Sequence, residues 1–284
     1  LVLFVILAGS VVRMTGSGMG CPDWPKCFGS WIPPTTVSEL PLNYKEIYSD
    51  RGYDKLDFNV FNTWAEYINR LLGALSGIPI ILLFSMTLME NKKKGIFISS
   101  GALLFVLIAA WLGKVVVDEN LEAIKISIHV VVAILALAFL VGMMQYVSRK
   151  KYNVPSKTRS LILLSLILSF AQLLLGTQVR EQVDGLLEHG TDRLDIISEL
   201  PSWWKIHRTA VWPLIALHLM WALPLFKIKE LRAYATGVMA IICSLAITGV
   251  VFVKFGMPAV IQPVHILLAF GLVLLNFRIY LATK

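Results

Sequence analysis

The sequence predicts an all-α polytopic membrane protein, with eight transmembrane helices forming two tandem four-helix bundles. The chain is 57% hydrophobic and only 15% charged, with a mean hydropathy of +0.72, whereas soluble domains carry about 25% charged residues. The apolar residues fall in long runs, and a set of polar residues recurs at matched spacing in the two halves. Since a helix needs roughly 20 apolar residues to cross a bilayer, such runs indicate membrane spans.

Eight apolar runs are candidate spans. The first is short for a bilayer and the chain begins at Leu1, so we expect that residues preceding it are missing. We do not interpret this run as a cleaved signal peptide, because its Gly9 and Arg13 recur in the fifth run. The predicted spans are Leu1–Val12, Asn62–Met89, Ile96–Val117, Ala123–Val147, Leu161–Gln178, Trp203–Phe226, Ala233–Val253 and Ala259–Leu281.

Matched spacings indicate an internal duplication. Asn69 and His129 are 60 residues apart in the first half, and His207 and His265 are 58 apart in the second. The other recurrences are Gly113 and Gly249, each 16 residues before a histidine, and Gly9 and Gly176, each four residues before Arg13 or Arg180. The predicted halves are 1–150 and 151–284. Each has four spans, so both share one orientation, and a pseudo-two-fold axis along the membrane normal relates them.

The distribution of charge predicts the topology. The net charge is +8, but the basic residues cluster in the short loops 90–95, 148–159 and 227–232, which excludes a nucleic-acid surface as their simplest explanation. The positive-inside rule places these loops in the cytoplasm. The longer, more acidic loops, including 15–61, then face outward from the cytoplasmic membrane of a bacterium.

Two of the three cysteines lie in this first outer loop. Cys21 and Cys27 face an oxidising compartment there, which favours a disulfide. A structural staple and a redox role are both open for the pair, whereas Cys243 in the seventh span is expected to be a small packing residue.

The spacing of the histidines predicts a heme site. Asn69, His129, His207 and His265 lie about four to eight residues into spans that run in the same direction, which corresponds to one level of the bilayer. A histidine at this depth is costly without a partner. Zinc prefers four ligands, whereas a heme supplies its own equatorial nitrogens and needs only axial ligands.

Arginines at the same level suit the propionates of such a heme. The candidates are Arg13, Arg70, Arg180 and Arg208, and snorkelling to the headgroups is the alternative. His218, three turns beyond His207, is interpreted as a hydrogen-bonded core residue, with an electron path as the other interpretation.

Five segments resemble the heme A synthase family, and the resemblance covers essentially the whole chain. The cysteine loop and the final QPVH segment are the most specific. The segments are Gly18–Gly29 (GMGCPDWPKCFG), Glu66–Arg70 (EYINR), Leu175–Arg180 (LGTQVR), Ile206–Arg208 (IHR) and Gln262–His265 (QPVH).

The resemblance implies an eight-helix membrane oxidoreductase that oxidises the C8 methyl of heme O to the formyl group of heme A. It implies a cofactor heme b on His207 and His265, and a substrate heme on His129 near Asn69 and Arg70. It also assigns a catalytic role to Glu66. Implied partners are heme O, a heme O synthase (farnesyltransferase), the cytochrome oxidase assembly pathway, membrane lipid and an unidentified electron donor; a homo-oligomer is left open.

One residue departs from the family pattern, because Asn69 stands where the family usually has histidine. The first half thus combines a single histidine with Glu66, whereas the second half has two histidines and Trp204 at the position matching Glu66. This asymmetry suggests a reactive site in the first half and an electron-transfer heme in the second. The alternatives are a b-type cytochrome that passes electrons from quinol, and a transporter built from parallel repeats.

Overall fold

The computed structural model describes residues 1–119 and 123–284, and these are organised around long helices. The helices of 13 residues or more in this part of the chain are α1 (Val2–Met14), α2 (Val60–Glu90), α3 (Lys93–Asp118), α4 (Ala123–Ser148), α5 (Ser156–Glu188), α6 (Trp204–Leu225), α7 (Arg232–Lys254) and α8 (Ile261–Ala282). Within the same residues, β-pairing is limited to two isolated bridges, Cys27 with Ser30 and Tyr152 with Thr283. The prediction of an all-α protein is confirmed.

Seven of these helices, α2 to α8, are long and apolar enough to cross a membrane. This confirms a multi-pass membrane protein. Helix α1 is apolar but has only 13 residues, so its role as an eighth span stays a prediction.

Helix α5 extends ten residues beyond the predicted end of its span, from Gln178 to Glu188. The prediction stopped there because charged residues follow. The structure keeps them helical, and Arg180 forms an ion pair with Asp184 one turn further on. Such i,i+4 pairs stabilise a helix that has left the apolar layer.

The chain divides into two compact units, Leu1–Ala136 and Leu137–Lys284, whereas the predicted domains met at residue 150. In the first unit, α2 packs against both α1 and α3. Its loop before α2 contains a short helix, Tyr44–Ile47, and an aromatic core in which the Phe28 ring meets four neighbouring rings edge-on. We call residues 15–59 the cysteine loop.

The cysteine loop is docked closely on the start of α2. A Cβ atom at Gly20 would lie 2.3 Å from the backbone oxygen of Asn62, so only glycine allows this approach. Thr63 also donates a hydrogen bond to Gly20 O at 2.9 Å. The loop is therefore held directly above the part of α2 that carries Glu66 and Asn69.

The second unit contains a ring of four helices. Helices α5 and α7 each pack against both α6 and α8, so α6 and α8 occupy opposite corners of the ring. A core of buried apolar residues fills it. Its members include Ile162, Trp221, Leu225, Leu231, Val238, Leu272 and Ile279.

Candidate functional site

The two predicted ligands of the second half lie on helices at opposite corners of the ring. His207 is the fourth residue of α6 and His265 is the fifth residue of α8. The two side chains are partly buried and lie within electrostatic range of each other. Both histidines thus belong to one end of the same four-helix ring.

The imidazole of His265 is oriented by Thr248 on α7. The Thr248 hydroxyl donates within its own helix, to Ser244 O at 2.9 Å or Leu245 O at 3.0 Å. It therefore accepts a hydrogen bond from His265 Nδ1 at 2.6 Å. With the proton on Nδ1, the Nε2 lone pair is available as a ligand, which is how second-shell groups prepare a histidine for a metal.

Glycines on neighbouring helices make room for three of the four matched side chains. A Cβ atom at Gly176 would lie 3.0 Å from His207 Cε1, and one at Gly113 would lie 3.7 Å from His129 Cε1. At Gly9, the same atom would lie 3.6 Å from Asn69 Oδ1. Asn69 therefore occupies the structural position in the first unit that His207 occupies in the second.

Polar atoms at these positions lack protein partners. His129 Nδ1, His207 Nδ1 and Asn69 Oδ1 are buried and make no hydrogen bond. Such atoms are costly in an apolar interior, and they mark where a bound polar or metal-containing group would contribute most.

Glu66 is built into the attachment of the cysteine loop. Its side chain is buried, and Oε2 accepts a hydrogen bond from the backbone N–H of Cys21 at 3.0 Å. The other oxygen forms an ion pair with Arg70, one helical turn further along α2. The carboxylate is therefore fixed between the helix and the loop.

Arg70 uses its guanidinium to hold the same loop. It donates to the carbonyl oxygens of Asp23 at 2.6 Å, Cys21 at 3.0 Å and Lys26 at 3.1 Å, besides its ion pair with Glu66. These donors are directed at the protein backbone, although the sequence had suggested them for a propionate.

The disulfide predicted between Cys21 and Cys27 is confirmed. Both cysteines are buried in the aromatic core of the loop, beside Tyr53. Burial raises the pKa of the Tyr53 hydroxyl above its usual range, so it stays protonated and donates to Met19 O.

The second unit has a different arrangement at the matching turn. Trp204 replaces the carboxylate, and the guanidinium of Arg208 lies over its ring, 4.9 Å from the centroid. Trp204 packs in an apolar cluster together with Val183, Leu200 and Met257. In both units, then, an arginine reaches back one turn, to an acid in the first and to an indole in the second.

The remaining predicted residues are distributed around these sites. Arg13 lies in the last turn of α1 and Arg180 pairs with Asp184 in α5. His218 is fully buried and hydrogen-bonded to Leu214 O and Asn276, which confirms its interpretation as a core residue.

Sequence reasoning missed Thr248 and Gln172, which bond to the two ligand histidines; the Gln172 amide donates to His207 O at 2.6 Å. Thr248 adjoins Gly249, whose spacing was noticed, so its proximity to His265 had a signal in the repeat.

These features define a multi-pass helical membrane protein with imidazoles at opposite corners of a four-helix ring, an arrangement suited to a heme. Residues 1–277 match the COX15-CtaA family, described as cytochrome oxidase assembly protein, and the chain belongs to that family.

Curated relatives include two proteins named heme A synthase. The protein of Shewanella oneidensis is 28% identical over 182 residues, covering 61% of this chain and 52% of that protein. The protein of Rickettsia prowazekii is 22% identical over 305 residues, covering 93% of this chain and 89% of its own length.

The contacts of Arg70 predict that its loss loosens the cysteine loop. In Arg70→Gln, we expect reduction of the Cys21–Cys27 disulfide by dithiothreitol to be about tenfold faster or more, because several charge-assisted hydrogen bonds are lost. Alkylation of freed thiols followed by mass spectrometry measures the rate. Arg208→Gln, the matched change in the second unit, should leave the rate unchanged; equal rates in both variants would refute the clamp.

Proposed function

We propose that this chain is a heme A synthase, which oxidises the C8 methyl group of heme O to the formyl group of heme A. Family membership over residues 1–277 and the names of the relatives support this function. The structural observation that carries it is the difference between the two units. One unit combines a buried carboxylate and a capping disulfide loop with His129, whereas the other has two histidines.

The second unit is proposed to hold the resident heme b. His207 and His265 would be its axial ligands, because one has an unpartnered Nδ1 beside Gly176 and the other has Nε2 prepared by Thr248. When bound, heme b supplies one-electron transfer. The protein contributes two fixed imidazoles at opposite corners of the ring, which suits a group that changes its charge without exchanging ligands.

The first unit is proposed to bind the substrate heme through His129, with Asn69 on the facing side. The unpartnered Asn69 Oδ1 would serve as a hydrogen-bond acceptor there. Glu66 would stand at the edge of the substrate, held by Cys21 and Arg70 so that its charge cannot move away. Arg13, Arg180 and Arg208 remain the proposed partners of the propionates.

The membrane arrangement follows the charge pattern. We propose that α1 is an eighth span and that the cysteine loop faces outward, with the basic loops in the cytoplasm. A pseudo-two-fold axis along the membrane normal would relate the halves. A b-type cytochrome that only passes electrons has no use for a carboxylate and disulfide loop confined to one half.

The function predicts a new product in cells. Expressed with a heme O synthase, the wild-type protein should yield heme A when the extracted hemes are separated by chromatography, and Glu66→Gln should yield heme O with the heme b content unchanged. Only heme b in the wild-type extract would favour the cytochrome. If Glu66→Gln also accelerates reduction of the disulfide, the carboxylate acts chiefly by holding the loop.

Each proposed axial ligand should be needed for the resident heme. His207→Ala and His265→Ala should each abolish the low-spin b-type absorption of the purified protein, since each removes one of two ligands. The exposed His189→Ala is the control and should retain the spectrum. Normal low-spin spectra in both ligand variants would contradict the assignment.

Asn69→His should restore the symmetry of the repeat. Gly9 leaves room beside Asn69 as Gly176 does beside His207, so an imidazole can be accommodated. We expect a second low-spin heme signal in electron paramagnetic resonance, and less heme A formed, because a filled ligand position hinders access to the iron. Asn69→Ala should add no such signal. Full activity with a new low-spin heme would show that the reaction does not require an open ligand position.

A further inference from the structure

A buried hydrogen bond joins the two helices that carry His207 and His265. Asn276 Nδ2 on α8 lies 2.9 Å from His218 Nε2 on α6, and neither residue is exposed to solvent. Because α6 and α8 stand at opposite corners of the ring, this bond crosses the centre of the bundle, where neighbouring helices make no such link.

The bond lies in register with the proposed heme ligands. His218 follows His207 by eleven residues, and Asn276 follows His265 by eleven. Eleven residues make about three helical turns, or roughly 16 Å, and return to nearly the same helix face. The faces that meet at His218 and Asn276 are therefore the faces that present the two imidazoles further along.

The direction of the bond is determined by its surroundings. His218 Nδ1 donates to Leu214 O at 2.7 Å, which leaves Nε2 as the acceptor for Asn276. Asn276 also donates to Ser169 Oγ on α5 at 3.2 Å. Since the acceptor, the donor and a third helix are all engaged, the separation of α6 and α8 is fixed at this level.

We propose that His218 and Asn276 are positioning residues that set the gap between His207 and His265, so that both imidazoles reach one heme iron at the same time. This rests on the proposed assignment of heme b to the second unit. The first unit has no equivalent by sequence. The offset of 138 that relates Asn69 to His207 relates Ile80 to His218, and the offset of 136 that relates His129 to His265 relates Leu140 to Asn276.

The contrast fits the two tasks. A resident heme benefits from a fixed gap, whereas a substrate heme has to enter and its product has to leave. An apolar pair at the corresponding level gives the first half no polar bond to break when it exchanges its heme.

The test compares heme retention among variants of the full-length purified protein. In His218→Leu, transfer of heme b to apomyoglobin should be roughly tenfold faster or more, as for loss of an outer-shell contact to a metal ligand, and part of the low-spin signal should become high-spin. His218→Gln should largely restore retention, because its amide oxygen can accept the Asn276 hydrogen bond. Should His218→Leu fail to accumulate, Asn276→Ala replaces it with the same expected result.

The matched control is Trp221→Phe. It removes the 2.8 Å bond from Trp221 Nε1 to Ser165 Oγ, which joins the adjacent helices α6 and α5 in the same buried layer. It should lower the thermal midpoint without changing the spin state. Unchanged heme transfer and spin state in His218→Leu would overturn the proposal, as would equal heme loss in the control at equal stability. A wild-type protein without low-spin heme would instead overturn the heme b assignment.

Discussion

Polar side chains inside a bundle of apolar helices must find partners within the protein, because lipid offers none. The second unit meets this constraint away from its proposed heme site: His218 bonds to Asn276, and Trp221 bonds to Ser165. The matched repeat positions behave differently. There His129, His207 and Asn69 keep buried atoms without partners, beside glycines that leave them space. A bundle that satisfies polar groups at one level and leaves them unsatisfied at another has been shaped around something that binds at the second level.

The two units build different surroundings around the same positions. In the first, the cysteine loop rests on Glu66 and Arg70, and its disulfide lies within an aromatic core. In the second, the matching turn packs Trp204 among aliphatic side chains. The first arrangement brings charge and backbone dipoles close to the ligand position, which suits a site where bonds change. The second excludes them, which suits a site where only electrons pass.

Much of this organisation follows from periodicity. Apolar runs predict the helices, and matched spacings place His207 and His265 at one level because a helix converts residue number into depth. Other features have no periodic signal. The reach of Arg70 to three loop carbonyls depends on the path of a long irregular segment, and the extension of α5 depends on an ion pair that hydropathy penalises. Local pattern indicates where a side chain starts, but the partner of a long, flexible side chain depends on the tertiary fold.

An arginine that reaches back one turn is common to both units, although it meets Glu66 in one and Trp204 in the other. A guanidinium can accept either neighbour, since it pairs with a carboxylate and also stacks on an aromatic face. After an ancestral gene doubled, substitution of the residue four positions before the arginine could therefore change the chemistry of one copy while the helix and its arginine stayed in place. The duplicated scaffold could acquire two specialised halves through side-chain exchange, without passing through a misfolded ancestor.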